Sequence, residues 1–419
     1  MSITVFPRQA PDNGAQVLNV MAFGARANGT DDGPAIQSAI DAAGPGRVVY
    51  FPKGKYRVNN TLQINTRGVT LRGESSLRNA NGGTELMYMG NGACVQIGTD
   101  DNLPWDRGGY DGVQDTWIEQ LWFSHGNPDT VLDLAINGVQ KYAAGALGVR
   151  DWRGGYVRIR DCGFERFEYS FFGVQSDLNH FEVVQSHYSR YGIYLGPRSD
   201  QAVLDQVMGF FAERLITLDG VSQCRITNVN VVDCGNATIC PIEIRKGCAN
   251  IDILYPWFEH LPGAAGYGGT DQLAFVGIGI VDGYAGSEGM NHTAVSGVDV
   301  HAPFVYTTAN GAAYHTRYLI ALDQANRVKL YNPNTTAAAG TALNVDAMIA
   351  TTSSATGTAT AAIYGVRAEY PDSRLFANNS STATPNWSGF LDGPEGPQVI
   401  SSQGARLVGR GHGASAGAD

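Results

Sequence analysis

Positive charge is scarce in this 419-residue chain: 29 Lys and Arg stand against 39 Asp and Glu, a formal net charge of −10. Nucleic-acid binders neutralise phosphates with clustered Lys and Arg, and no such cluster occurs, so nucleic acid is excluded as a partner. Charge of either sign is sparse, at 16%. No run of 18 apolar residues occurs, so no membrane span and no membrane insertion are expected. The opening MSITVFPRQAPDNG has no apolar core of a signal peptide, which predicts a protein that reaches a virion or the cell exterior without a conventional signal, or one that stays in the cytoplasm. Six cysteines occur, Cys94, Cys162, Cys224, Cys234, Cys240 and Cys248, but none forms a CxxC pair. A zinc knuckle is thereby disfavoured, and buried thiols are expected, with one disulfide as the other option. Phosphate loops, cofactor fingerprints and Ser-His-Asp nucleophile motifs are also missing. No cofactor and no metal are expected.

What the chain does have is glycine, 53 residues, and many short apolar runs. Glycine supplies positive φ at tight turns, which suits a β-rich fold. A single core stops growing at roughly 250–300 residues, so a chain of this length divides into domains or adds core by repetition.

Residues 1–16 read as a polar arm. In VLNVMAFGARANGTDDGPAIQSAIDAA, the oxygens of Thr30, Asp31 and Asp32 can cap a helix, and Pro34 suits its first turn. Ile36, Ala39, Ile40 and Ala43 recur at helical spacing, and Gly44–Pro45 ends the helix. Val48, Val49, Tyr50 and Phe51 form a continuous apolar run, the mark of a strand buried on both sides. Leu62, Ile64, Val69 and Leu71 alternate in the pieces that follow. Residues 74–115 are rich in Gly and Asn and read as a long loop carrying Trp105 and Tyr110.

From about residue 116 a repeat emerges, in units such as YVRIRDCGFERFEYSFFGV, HFEVVQSHYSRYGIYLG and CRITNVNVVDCGNATICPIEIRKG. Anchors placed at Ile159, Val183, Ile226 and Ile253, with the Leu204 unit between the second and third, give a drifting period that suits a solenoid with loops of varying length. The fold expected is a right-handed parallel β-helix over residues 17–333, with an N-terminal capping helix. Residues 334–419 are rich in Ala, Thr and Ser. Over 334–361 a thin β segment suited to subunit contacts is expected, with a flexible linker as the alternative; strand-like pieces follow over 362–410, and the region ends in a disordered tail.

The segment AFGARANGTDDGPAIQSAIDAAGPGRVVYFPKGKY resembles the N-terminal pattern of the pectate-lyase-like β-helix superfamily. Phe23, Gly24, Ala25, Asp31, Asp32, Ala35, Ile36, Gln37, Ala39, Ile40, Phe51, Pro52, Gly54 and Tyr56 carry the resemblance over about 50 residues. The superfamily includes phage tailspikes, capsule depolymerases, polygalacturonase-like hydrolases and inulin-fructotransferase-like enzymes. The resemblance implies a three-faced prism of coils, often a homotrimer, and a polysaccharide ligand such as a bacterial capsule, lipopolysaccharide or exopolysaccharide. It says nothing of catalytic residues, because the matching positions cap the helix.

Glycoside hydrolysis needs two carboxyl groups flanking the bond, and adjacent coils bring equivalent positions about 4.8 Å apart. Aligning the repeats places Glu165, Ser189, Val232 and Glu259 in one column and Arg166, Arg190, Asp233 and His260 in the next. The acid–base pair expected is Asp233 with Glu243, and Glu213 and Glu259 are the reserve carboxylates. Trp257, turned outward by the inward Phe258 beside it, offers a stacking platform for sugar C–H faces, and His260, Arg190 and His187 are expected to bind substrate. The same alignment puts Tyr188 in the core. Solvent-facing carboxylates are ordinary on such a surface, and the choice rests on position alone. The function expected is that of a virion tailspike or depolymerase that hydrolyses a bacterial surface glycan. The alternatives are a non-virion lyase or fructotransferase-like enzyme, where His187 and Arg190 would suit β-elimination, and a non-catalytic glycan-binding spike.

Overall fold

A computed structural model describes residues 17–76, 82–98, 113–126, 142–235, 239–260, 271–279, 295–307, 315–333, 344–351, 357–367, 374–378, 383–393, 396–401 and 408–409. Within these residues the chain is a right-handed parallel β-helix of three faces. The expected arm at 1–16, the tail after 409, Trp105 and Tyr110 lie outside the described residues.

The helix starts as its sequence dictates. Gly33–Ala42 is the one α-helix among the described residues, with Pro34 in its first turn. Asp31 Oδ1 accepts the Gly33 amide at 3.0 Å, while Asp32 is drawn back to the amides of Arg26 and Ala27 at 2.7 and 3.1 Å. Ile36, Ala39 and Ile40 are buried against the open end of the first coil. Gln37 fastens the helix there: its amide donates to Gln63 O and its Oε1 accepts the Gln63 amide. A sheet edge covered in this way cannot template pairing with another chain.

The first face begins with Val17–Asn19, Val48–Phe51, Thr70–Gly73 and Trp117–Glu119. Its inward column runs Val49, Leu71, Ile118, Ile159, Phe181, Leu204, Ile226, Ile253, Val300, Leu330 and Ile363. None of these is more than 1% exposed. The second face includes Thr84–Tyr88, Trp122–His125 and Trp257–His260. The third includes Ala93–Ile97, Phe167–Val174, Tyr191–Leu195 and Arg214–Leu218. The strands Arg158–Glu165, His180–His187 and Val203–Phe210 bend at left-handed residues, Asp161, Val183 and Gln206, and so serve the first two faces.

Three expectations change. Residues 74–115 are not one long loop, because Thr84–Tyr88 and Ala93–Ile97 are strands of the second coil. Val183 is a corner residue, and Phe181 holds the column between Ile159 and Leu204. Side chains alternate with a period of two, so a slip of two residues preserves every inward and outward assignment and leaves no trace in the pattern. The same slip had placed Tyr188 in the core. Ser186 pairs with Phe164 there, and Tyr188 is a half-buried corner residue stacked on Phe211 at 5.3 Å. Finally, parallel pairing runs past residue 333: Asn344–Thr351 stacks on His315–Leu322, and Gly357–Arg367 on Ala325–Tyr331. Small side chains satisfy the ladder as well as large ones, because the backbone makes its hydrogen bonds.

The six cysteines are buried and form no disulfide with one another, and burial pushes the thiols of Cys162, Cys234 and Cys248 up to about 12.

Candidate functional site

At the start of the third face, just past the corner left by the second, one outward column carries alternating charge. Tyr169 pairs with Tyr191 and Tyr191 with Arg214, so the residues before them, Glu168, Arg190 and Glu213, stand one above another in three successive coils. Arg190 Nη1 lies 2.9 Å from Glu168 Oε1, and its Nε lies 3.5 Å from Glu213 Oε2. The other Glu168 oxygen accepts the Gly145 amide at 2.7 Å. Two rungs separate the backbones of the two carboxylates by about 9.6 Å, and both side chains lean toward the guanidinium between them. Tyr142 stands beside the column: burial, then the charge of Glu213, holds its phenol protonated up to about 12, with Arg190 and Glu168 also in electrostatic range.

Behind the column is a buried ionic network. Arg214 Nη1 lies 3.5 Å from Glu213, and its Nε donates to Glu243 Oε1 at 2.9 Å. Arg245 donates to Glu243 Oε2 from Nε and Nη2, at 3.2 and 3.0 Å, and lies 3.9 Å from Asp219. Tyr194 donates to Asp219 at 3.1 Å. Arg214 and Glu243 face outward from the coil, yet each side chain is only 3% exposed. Buried charges persist where they are paired and hydrogen-bonded, and both Glu243 oxygens are so engaged. The stacked pairs Tyr169–Tyr191 and Phe172–Tyr194, at 4.5 and 5.1 Å, form the apolar side of the network, with Arg214 5.1 Å from the centre of the Tyr191 ring.

The expected site residues divide between two faces. Glu213, Arg190 and Glu243 meet on the third. Asp233 does not pair with Glu243: it is the corner residue that follows the second-face strand Asn230–Val232, buried at φ +48°, while Glu243 stands on the third-face strand Ile242–Ile244. The turn between them carries the chain onto another face, which a linear alignment cannot show. His187 and Glu259 point outward on the second face, in the column Glu165, His187, Phe210, Val232, Glu259. His187, where Ser189 was expected, stacks on Phe210 at 4.6 Å and meets Trp122 at 5.4 Å. Trp122 lies flat over Gly163, where a Cβ would come within 2.1 Å of the indole. Trp257 is 41% exposed, as alternation predicted, and packs against Phe304 at 4.4 Å. The strand of His260 pairs with Phe304–Thr307, and its side chain lies outside those described.

Glu168 and Tyr142 were missed. Glu168 lies between Phe167 and Tyr169 and reads as an ordinary solvent-facing residue. The signal that could have found it was the recurrence of an acid, a base and an acid at one place in three consecutive repeats.

Residues 17–155 match the family described as rhamnogalacturonase A/epimerase, pectate lyase-like. No curated protein matches the sequence. Among solved structures, ORF18 of Geobacillus virus E2 is similar at 15% identity and TM-score 0.53, over 93% of this chain and 65% of that one. The chain thus spans about two thirds of the length of that viral protein. DFA-IIIase from Arthrobacter chlorophenolicus A6, solved without its lid, is similar at 12% identity and TM-score 0.52, over 81% of this chain and 92% of that one. Likeness at these identities is likeness of fold.

Proposed function

We propose that this chain, a pectate-lyase-like right-handed parallel β-helix, binds a polysaccharide across its second and third faces and hydrolyses a glycosidic bond at Glu168 and Glu213. The observation that carries the reading is the Glu168–Arg190–Glu213 column: two carboxylates two rungs apart with a cation between them. Inverting hydrolysis takes carboxyl groups roughly 6.5–9.5 Å apart, with a water on the far side of the sugar, and backbones about 9.6 Å apart let the two side chains span such a gap. Glu168, whose oxygens accept from Arg190 and from the Gly145 amide, serves as base and takes a proton from the water. Glu213 serves as acid and protonates the departing glycosidic oxygen. The C1–O bond to the leaving sugar breaks as the C1–O bond to water forms, with inversion. Arg190 orients both carboxylates, and the Tyr142 phenol donates to a sugar oxygen. Glu243 acts at one remove, by holding Arg214 against Glu213. Glu259, His187 and Trp257 line the approach across the second face.

The test is release of reducing ends from a panel of neutral and acidic bacterial polysaccharides by wild type, Glu168→Gln and Glu213→Gln. Full activity in both variants overturns the assignment. A second reading rests on Tyr142 lying beside Arg190: a phenol and a guanidinium together suit β-elimination from a uronate. Absorbance from unsaturated uronate, with no dependence on Glu168, would select it. The likeness to a viral protein supports a virion spike, and coils that stack into a prism suit a homotrimer. That reading expects a trimer on an unheated detergent gel and fails on a monomer in light scattering.

A further inference from the structure

Among the described residues, nine left-handed corner residues separate the first face from the second: Gln120, Asp161, Val183, Gln206, Asn228, Tyr255, Ala302, Asn332 and Gly365. A non-glycine residue at positive φ is strained by roughly 1–2 kcal/mol, and Asn is the side chain that tolerates it best. Eight of the corners carry an amide, a carboxylate, a small residue or Val. Tyr255 alone carries a ring there, and it is 60% exposed, the largest exposure of any large apolar residue described. Its neighbours along the column are Asn228 and Ala302, whose side chains are too small to cover it. Backbone needs do not account for a tyrosine at φ +55°, and packing does not either.

Two residues on, past Pro256, stands Trp257, 41% exposed on the second face. One corner thus presents an exposed phenol, and the strand that follows it an exposed indole. Around them lie hydrogen-bonding groups rather than cations: Asn228, Asn230, Thr227 and Glu259 in this and the preceding coil. On the adjoining first face Arg225 lies 3.9 Å from Asp252 and Lys329 lies 3.4 Å from Asp299, while Arg327 donates to the Ser296 hydroxyl.

We propose that the Tyr255–Pro256–Trp257 corner is a second glycan subsite, an anchor that binds a neutral pyranose chain by ring stacking at a distance from the cleaving carboxylates. Aromatic faces take sugar C–H faces, and a surface whose carboxylates equal or exceed its cations repels a polyuronate. The corner lies on the far edge of the second face from Glu213, four strand residues across, roughly 13 Å, and two coils along, roughly 10 Å. A chain anchored there crosses Glu259, Phe210 and His187 on its way to the column. The inference rests on a polysaccharide ligand but not on cleavage.

The experiment is affinity electrophoresis of the full chain in gels cast with a soluble glucan, a galactomannan, a neutral bacterial exopolysaccharide or, separately, a polyuronate. The variants are Tyr255→Asn, Trp257→Ala and Glu213→Gln. Asn already occupies this corner in two other coils, so Tyr255→Asn keeps the backbone and its melting temperature. The expected result is retardation of wild type and Glu213→Gln by a neutral polymer, weakened at least tenfold in Tyr255→Asn and Trp257→Ala. Retardation independent of both aromatics, retardation by the polyuronate alone, or none by any neutral polymer overturns the anchor. If wild type releases no reducing ends while retardation still depends on Tyr255, cleavage at Glu168 and Glu213 falls and the anchor stands.

Discussion

The inward column of the first face and the outward Glu168–Arg190–Glu213 column of the third are built on one repeat. The inward column exchanges Val, Leu, Ile and Phe from coil to coil and stays buried throughout. The outward column alternates in sign and is held by distances of 2.9 and 3.5 Å. Apolar burial has no direction, so any side chain of fitting volume serves. Charges about 4.8 Å apart must alternate or repel, so the outer column tolerates far less exchange. The solenoid therefore stores stability where sequence is permissive and specificity where it is strict.

The comparison breaks most sharply in activity. Glu213→Gln or Glu168→Gln is expected to lower reducing-end release by 100-fold or more, with an unchanged melting temperature. A loss of stability in step with activity would mean that the column is structural. Glu243→Ala comes next: it leaves Arg214 and Arg245 buried without their common partner, and costs about 3–5 kcal/mol in denaturant unfolding. Leu204→Ala, in the inward column, costs about 2–5 kcal/mol through lost burial and a cavity, with catalysis intact in the folded fraction. Equal effects of Leu204→Ala on activity and stability would erase the contrast between the columns.

The smallest effect is electrostatic and lies inside the coil. Asp151 is fully buried and accepts a hydrogen bond from Ser176. Burial raises its carboxyl to about 7. A carboxyl raised above its unfolded value contributes stability at low pH and loses it as pH climbs through the folded value. Wild type is expected to lose stability as pH rises from about 4 to about 7, by about 1.4 kcal/mol per pH unit, and to level off above that, and Asp151→Asn to remove that slope. A melting temperature in wild type that is flat over this range contradicts the assignment.

The capping helix was legible from Pro34 and the Ile36–Ala39–Ile40 spacing, which act within one turn, whereas of the three capping candidates Asp31 bonds the Gly33 amide and Asp32 does not cap. The inward column was legible as alternation, and Trp257 was correctly turned outward by Phe258. The pairing of Asp233 with Glu243 was not legible, since a corner between them changes the face. Glu168 was not legible either, because its meaning comes from Arg190 one coil on.

Local spacing and alternation determined by themselves that the chain caps, coils and repeats, for these depend on contacts within a few residues and on a period of two. Which residues share a column was decided only in the folded molecule. A slip of two residues, such as Val183 for Phe181, satisfies every local rule, and the choice between the two registers is made by backbone hydrogen bonds and ring packing between coils more than 20 residues apart in sequence.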